Sequence, residues 1–309
     1  MARSDIGLDR FFQMLNLQVL LFVYMAVGYG CRKFGILKES ARDAFTEFVI
    51  VVTLPCMIFQ SFRLTLNWDT LSKGTFTLIV STVVEVLSLF ISHYAFRFCK
   101  RDEIPIMRYG TLVSNSGFAG LPVIEHGYGA EGLFYASIFI IPTRILMSSA
   151  GISLFTTAPR WKRFRMVMLN PGIIAVELGF LRMGLQMEMP SVLDHAITAL
   201  GEITTPLAMV LVGMILADIP LRAILSGKAL LLSFVRQIAM PLMLLAGMQL
   251  IHADSLLTGV SVILTGMPIA ATTAILAAKY GANAEFASKC VFVSTLTSLV
   301  TVPVLAIFL

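Results

Sequence analysis

Asn115-Ser-Gly-Phe-Ala-Gly-Leu-Pro122 sets two hydrogen-bonding side chains, Asn115 and Ser116, beside the helix-weakening residues Gly117, Gly120 and Pro122. The stretch lies inside an apolar segment of membrane-spanning length. A second interruption, Thr265-Gly-Met-Pro-Ile-Ala-Ala-Thr272, follows in a similar segment. Lipid offers no partner to a freed N–H or C=O, so a helix broken at membrane depth persists only inside protein or beside a wet cavity. Each break frees amide donors at a positive dipole end, which suit an anion, and carbonyls, which suit a cation. A solute site is therefore expected at Asn115, Ser116, Gly117, Gly120, Thr265, Gly266, Met267, Pro268 and Thr272. An open alternative is that Asn115 and Ser116 only cap half-helices, and that the threonines, Thr273 included, bond their own backbone. Pro122 belongs to the break itself, and Pro55 and Pro206 are expected as further breaks or hinges.

Ionisable side chains at membrane depth cost about 2.5–3.5 kcal/mol on insertion scales and by default suggest function. The candidates are Glu85, Arg144, Glu177 and Arg236. Two readings stay open. Glu85, Arg144 and Arg236 either form structural charge pairs, or Arg144 or Arg236 draws an anion inward with Glu85 as a proton-linked partner. Arg182, His93, Glu125 and His126 lie nearer span ends, where snorkelling or interfacial packing is expected.

No phosphate-cradling GxxxxGK[ST] loop occurs, so ATP-driven pumping has no support. Neither HExxH nor GxSxG is present, and no enzyme activity is expected. Cys31, Cys56, Cys99 and Cys290 have no metal-ligand spacing and read as reduced structural thiols, and the 17 methionines read as packing. No cofactor and no metal is expected.

The elements that must position these residues are membrane helices. Of 309 residues, 57% are hydrophobic and 13% charged, and the mean hydropathy is +0.86. The net charge of +5 is small and scattered, which argues against a nucleic-acid partner. An all-α integral membrane protein is expected. Spans of roughly 20 apolar residues fall near 13–31, 44–63, 74–97, 106–128, 131–156, 170–187, 192–218, 227–251, 255–279 and 285–308. The first is expected to be retained, since no cleavage site follows the polar start.

Basic residues cluster in the odd-numbered loops: Arg32, Lys33, Lys38 and Arg42; Arg97, Lys100, Arg101 and Arg108; Arg160, Lys162, Arg163 and Arg165; Arg222 and Lys228; Lys279 and Lys289. The positive-inside rule puts these loops in the cytoplasm and both termini outside.

The halves correspond at a nearly constant offset. Pro55 matches Pro206, Gly117 matches Pro268, Tyr128-Gly-Ala130 matches Tyr280-Gly-Ala282, and Ala136-Ser137 matches Ala287-Ser288. The same offset relates Glu85 to Arg236. A repeat of five spans must cross the membrane in the opposite sense the second time, which is an architecture of alternating-access carriers. The expected organisation is a first repeat over 1–157, a basic cytoplasmic linker over 158–169 and a second, inverted repeat over 170–309. The broken fourth and ninth spans would cross near mid-membrane.

Asn115-Ser-Gly-Phe-Ala-Gly-Leu-Pro-Val123, Tyr128-Gly-Ala-Glu-Gly132 and Tyr135-Ala136 resemble the first-half signature of the auxin efflux carrier family. Met267-Pro-Ile-Ala-Ala271, Lys279-Tyr-Gly281, Ala287-Ser288 and Ser294-Thr-Leu-Thr-Ser-Leu-Val-Thr-Val-Pro303 resemble its second-half signature. The short loops match the bacterial branch, whose members carry small carboxylates such as malonate or malate. The resemblance implies a fold similar to bile acid–sodium symporters. A transport domain of spans 3–5 and 8–10 would then move against a scaffold of spans 1, 2, 6 and 7. It also implies a bacterial inner-membrane location, a small organic anion as partner alongside the lipid bilayer, and, by analogy, a homodimer through the scaffold. The coupling ion, sodium or proton, is left open. The alternatives are a sodium-coupled symporter or cation–proton exchanger on the same fold, and a non-transporting membrane sensor.

Overall fold

The computed structural model describes residues 2–65, 67–147, 154–155, 161, 165, 168–218 and 226–309. Arg160, Lys162, Arg163 and most of the expected 158–169 linker lie outside the described residues, as does Arg222. The described chain is all-helical; its only β feature is one isolated antiparallel bridge, between Ser114 and Ile269.

The helices are α1 Ala2–Lys33, α2 Glu39–Phe48, α3 Leu54–Ser61, α4 Trp68–Tyr94, α5 Ile104–Leu112 and α6 Leu121–Leu146. They continue as α7 Pro171–Leu185, α8 Ser191–Glu202, α9 Thr204–Ala217, α10 Gly227–Phe234, α11 Met240–Leu250, α12 Ser255–Thr265, α13 Thr272–Lys279 and α14 Ala284–Ile307. Several starts are written locally. Asn67, Asn170, Asp254 and Asn283 each accept a backbone N–H of the first turn they precede, which satisfies donors that otherwise have no helical partner.

Among the described residues, seven helical segments are long and apolar enough to cross a membrane. They are Leu15–Lys33, Glu39–Ser61, Trp68–Tyr94, Ser116–Leu146, Ser191–Ala217, Gly227–Leu250 and Ala284–Ile307. The reading of ten spans differs for physical reasons. The fourth and fifth expected spans fall within one long segment, but two helices meet there at a kink on Gly129, at φ 68° and at the expected boundary, a conformation that a side chain would strain. Helix α7 has only 15 residues, and the ninth expected segment is interrupted, as expected, between α12 and α13.

Among the described residues, π-helical turns interrupt α-helical runs at Val49–Thr53, Ser116–Gly120 and Val235–Ala239. Each is followed, two residues on, by a proline: Pro55, Pro122 and Pro241. Proline has no N–H for the next i→i−4 bond and its ring crowds the carbonyl one turn back; the wider turn before it relieves both. Pro55 and Pro122 therefore do not break their helices, contrary to expectation. Pro206 sits in the first turn of α9, which joins α8 through the helical residue Ile203; it too leaves the run continuous.

Helix α1 packs along α9 and α14, α4 along α6 and α5, α6 along α12, and α10 along α14. Helices α1 and α9 approach each other closely. A Cβ on Gly28 would lie 2.0 Å from the Val210 carbonyl oxygen, and one on Gly213 would lie 1.9 Å from that of Met25. Small residues bring membrane helices this close, where dispersion and packing replace the hydrophobic effect as the associating force.

Candidate functional site

The first interruption begins earlier than the glycines suggest. Helix α5 ends at Leu112, Val113 is extended at φ −114° and ψ 107°, and helical structure resumes at Ser116. Gly117 and Gly120 lie inside the resumed π turn. The second interruption occupies 266–271, close to its expected place.

The two interruptions meet and bond to each other. The Asn115 N–H donates to the Pro268 carbonyl at 2.7 Å, and the Ala270 N–H donates to the Val113 carbonyl at 3.2 Å. Backbone groups that neither helix nor water serves are paired with one another, as burial in lipid demands. Side chains complete the crossing. Ser294 on α14 accepts the Ile269 N–H at 3.1 Å. Gln237 in turn donates to the Ser294 carbonyl at 2.7 Å and accepts from the Thr297 hydroxyl at 2.5 Å. The Tyr109 and Thr272 hydroxyls meet at 3.1 Å, joining α5 to α13.

Arg236 has a specific place in this assembly. It is 2% exposed, and its Nη1 donates to the Thr111 carbonyl at 2.9 Å. Thr111 lies in the last turn of α5, whose carbonyls lack helical partners and carry the negative dipole end, so a buried cation there is doubly favoured. Glu85 accepts a hydrogen bond from the Thr143 hydroxyl. No direct ion pair joins Glu85 to Arg236 among the described residues.

A cavity of about 140 Å³ lies against the crossing. The first break gives it Asn115, Ser116 and Gly117, the second gives it Thr272, and α6 gives it Arg144. Ile50 and Ile215 form part of the facing apolar wall. The Arg144 Nη1 donates to the Asn170 side-chain oxygen at 3.0 Å, and that oxygen also caps α7. A Cβ on Gly117 would stand 3.8 Å from Arg144 Nη2, so the absent side chain leaves the guanidinium facing open space. Among the described residues no carboxylate pairs with Arg144. A guanidinium is always charged and presents a planar fork of donors that matches a carboxylate.

A wider opening of about 690 Å³ adjoins the cavity and shares Thr46, Ile50, Ile215 and Ile275 with its lining. Its mouth carries Glu39, Arg42, Asp43, Glu47 and Asp218. Arg32 and Arg42 both pair with Asp218, at 2.8 and 3.3 Å, and so tie α1, α2 and the end of α9 together at that face. On this same face Asn283 donates to Asp102 at 3.0 Å and holds that carboxyl below the usual carboxylate range.

Asn115 also lines a second, smaller cavity of about 20 Å³ with Met267, Pro268, Gln18, Thr295 and Ser298. Thr265 and Gly266 line neither of these two. The buried Thr265 hydroxyl has no partner among the described residues and borders a groove between α4 and α11, while a Cβ on Gly266 would meet Leu305 at 2.7 Å. Gly120 allows Leu264 and Met267 to approach. Its contribution is packing, which removes Gly120, Thr265 and Gly266 from the expected wall. Pro55, Pro122, Pro206, Glu85 and Arg236 also lie off it.

Sequence reading missed Thr143, Asn170, Tyr109 and Gln237. Asn170 carried a signal, an asparagine just before Pro171, which marks a cap and first helical position. The others are fixed by partners far along the chain and leave no local trace.

Known proteins support the same reading. A family described as membrane transport protein matches residues 14–163 and 161–306. An uncharacterized transporter of Methanothermobacter thermautotrophicus is 27% identical over 310 residues, covering 94% of this chain and 96% of the relative. An uncharacterized transporter of Methanocaldococcus jannaschii is 24% identical over 302 residues, covering 93% and 96%. The uncharacterized transporter YfdV of Escherichia coli is 24% identical over 297 residues, covering 92% and 93%. With its apolar helices, the chain is an integral membrane protein.

Proposed function

This chain belongs to the membrane transport protein family, the auxin efflux carrier family that its motifs resemble, and on that premise we propose that it is a secondary carrier of a small organic anion. The observation that carries the reading is the Arg144 guanidinium, with no carboxylate partner among the described residues, facing a cavity walled by two crossed main-chain breaks. A mono- or dicarboxylate fits this chemistry. Its carboxylate takes the Arg144 fork, and Asn115, Ser116 and Thr272 offer further polar contacts.

The carrier works by elevator-type alternating access. The segments of spans 3–5 and 8–10 form the moving body, and those of spans 1, 2, 6 and 7 the scaffold, arranged as two inverted five-span repeats. In favour of this, α2, the following π turn and α9 supply the apolar wall that faces the crossing. With the odd loops cytoplasmic and both termini outside a bacterial inner membrane, the cavity opens inward, since the adjoining opening is lined by Glu39, Arg42 and Asp218 next to the first and seventh loops. A homodimer through the scaffold is part of the same proposal.

The test is uptake of labelled mono- and dicarboxylates into liposomes reconstituted with the purified protein, with and without sodium and proton gradients. Saturable flux supports the reading, and no saturable flux under any gradient contradicts it. A sensor on this fold would bind a carboxylate with no flux.

A further inference from the structure

Glu85 is 4% exposed in the middle of α4. One carboxyl oxygen takes the Thr143 hydroxyl, and the other, Oε2, has no partner among the described residues. Arg236 is the cation whose charge reaches it. That guanidinium is committed to the Thr111 carbonyl, and its own Nε is also buried without a partner among the described residues. An acid oxygen and a guanidinium N–H are thus both left unpaired in the same interior, a costly arrangement for a purely structural pair.

Several other charged or titratable groups on the packed helices have partners of their own. On α5, Arg108 reaches the His93 carbonyl and Tyr109 meets Thr272. On α6, Arg144 points to Asn170. At the start of α12, Asp254 pairs with Lys73 at 3.7 Å, and on α4 itself Lys73 also pairs with Asp69.

Thr143 stands between this carboxyl and the cavity: its hydroxyl donates to Glu85 and it lines the cavity beside Arg144. We propose that Glu85 is a proton-binding site linked to the cavity through Thr143, so that a proton there and an organic anion in the cavity bind together. The link rests on the carrier reading, because it names the coupling ion of that site. A proton taken from water closes an O–H bond on Oε2 and neutralises the carboxylate. The field left by Arg144 and Arg236 then favours an incoming anion. Ionised Glu85 opposes the anion, and by reciprocity the bound anion holds the proton.

Infrared difference spectra of the full-length protein in lipid, titrated from mildly acidic to mildly alkaline pH, are paired with malonate and malate binding over the same range. The expected result is a buried protonated-carboxyl band in the wild type that Glu85→Gln abolishes. Affinity for either acid falls about tenfold toward alkaline pH in the wild type and stays flat in Glu85→Gln. Thr143→Val, which removes the hydroxyl, shifts the band and decides the matter if Glu85→Gln does not fold. No such band at any pH, or a pH dependence that persists in Glu85→Gln, overturns the proposal. A Glu85 band without saturable uptake of either acid leaves the proton site standing and defeats the carrier reading instead.

Discussion

The main-chain N–H of Asn115 donates to the carbonyl of Pro268 at 2.7 Å, although 152 residues separate them in the chain. Proline is apt here because it gives a carbonyl and asks for no acceptor. The backbone of Asn115 holds the crossing, which leaves its side chain for the two cavities it borders. Asn115→Ala is therefore expected to keep the fold, with an unchanged melting temperature, and to lower carboxylate uptake about tenfold, the loss of a hydrogen bond worth roughly 1.4 kcal/mol.

Arg144 separates charge from geometry. Arg144→Gln is expected to weaken carboxylate binding by about 1.5–3 kcal/mol, the value of hydrogen bonds to a charged group. Arg144→Lys keeps the charge without the fork and is expected to recover part of that affinity. Equilibrium binding of malonate and malate to the three proteins checks the ranking.

Gly117 tests the open space itself. A Cβ there meets Arg144 at ordinary contact distance, so Gly117→Ala is expected to transport. Gly117→Leu places a branched chain in front of the guanidinium and is expected to abolish flux while the purified protein stays folded. Uptake and thermal unfolding of both variants decide between a blocked site and a damaged helix.

Arg236 is expected to matter for stability before transport. Removing it strands the Thr111 carbonyl and leaves Glu85 without its nearby cation. Arg236→Met is expected to cost about 3–5 kcal/mol, the range for breaking a buried charged contact, read as a large fall in unfolding temperature. Gln in its place retains a donor and is expected to lose less.

Much of this was legible in the chain. The second interruption was visible because Gly266 and Pro268 sit inside it and stop α12 directly. The first was misplaced because its end is imposed from outside. Nothing in Thr111-Leu-Val113 forbids a helix; the strand-like pairing with Ile269 and Ala270 does. Pro122, the strongest local signal, produced a π turn and no break. The offset between Glu85 and Arg236 was readable, but their actual partners, Thr143 and Thr111, were not, since a hydrogen bond between distant helices has no sequence period. Arg144 was visible as a charge at membrane depth, and only the packing of α7 revealed Asn170 beside it.

The crossing is what the carrier reading stands on, and Ser114 and Ile269 give its most direct test. They face each other as a non-hydrogen-bonded antiparallel pair, for which Cα atoms lie about 4.5 Å apart, within disulfide reach. With the four native cysteines replaced, the double variant Ser114→Cys/Ile269→Cys is oxidised mildly in lipid and scored by mass spectrometry. Near-complete cross-linking within one chain is the expected result. Free thiols after exhaustive oxidation, in protein that still unfolds cooperatively, would mean that the two breaks do not meet.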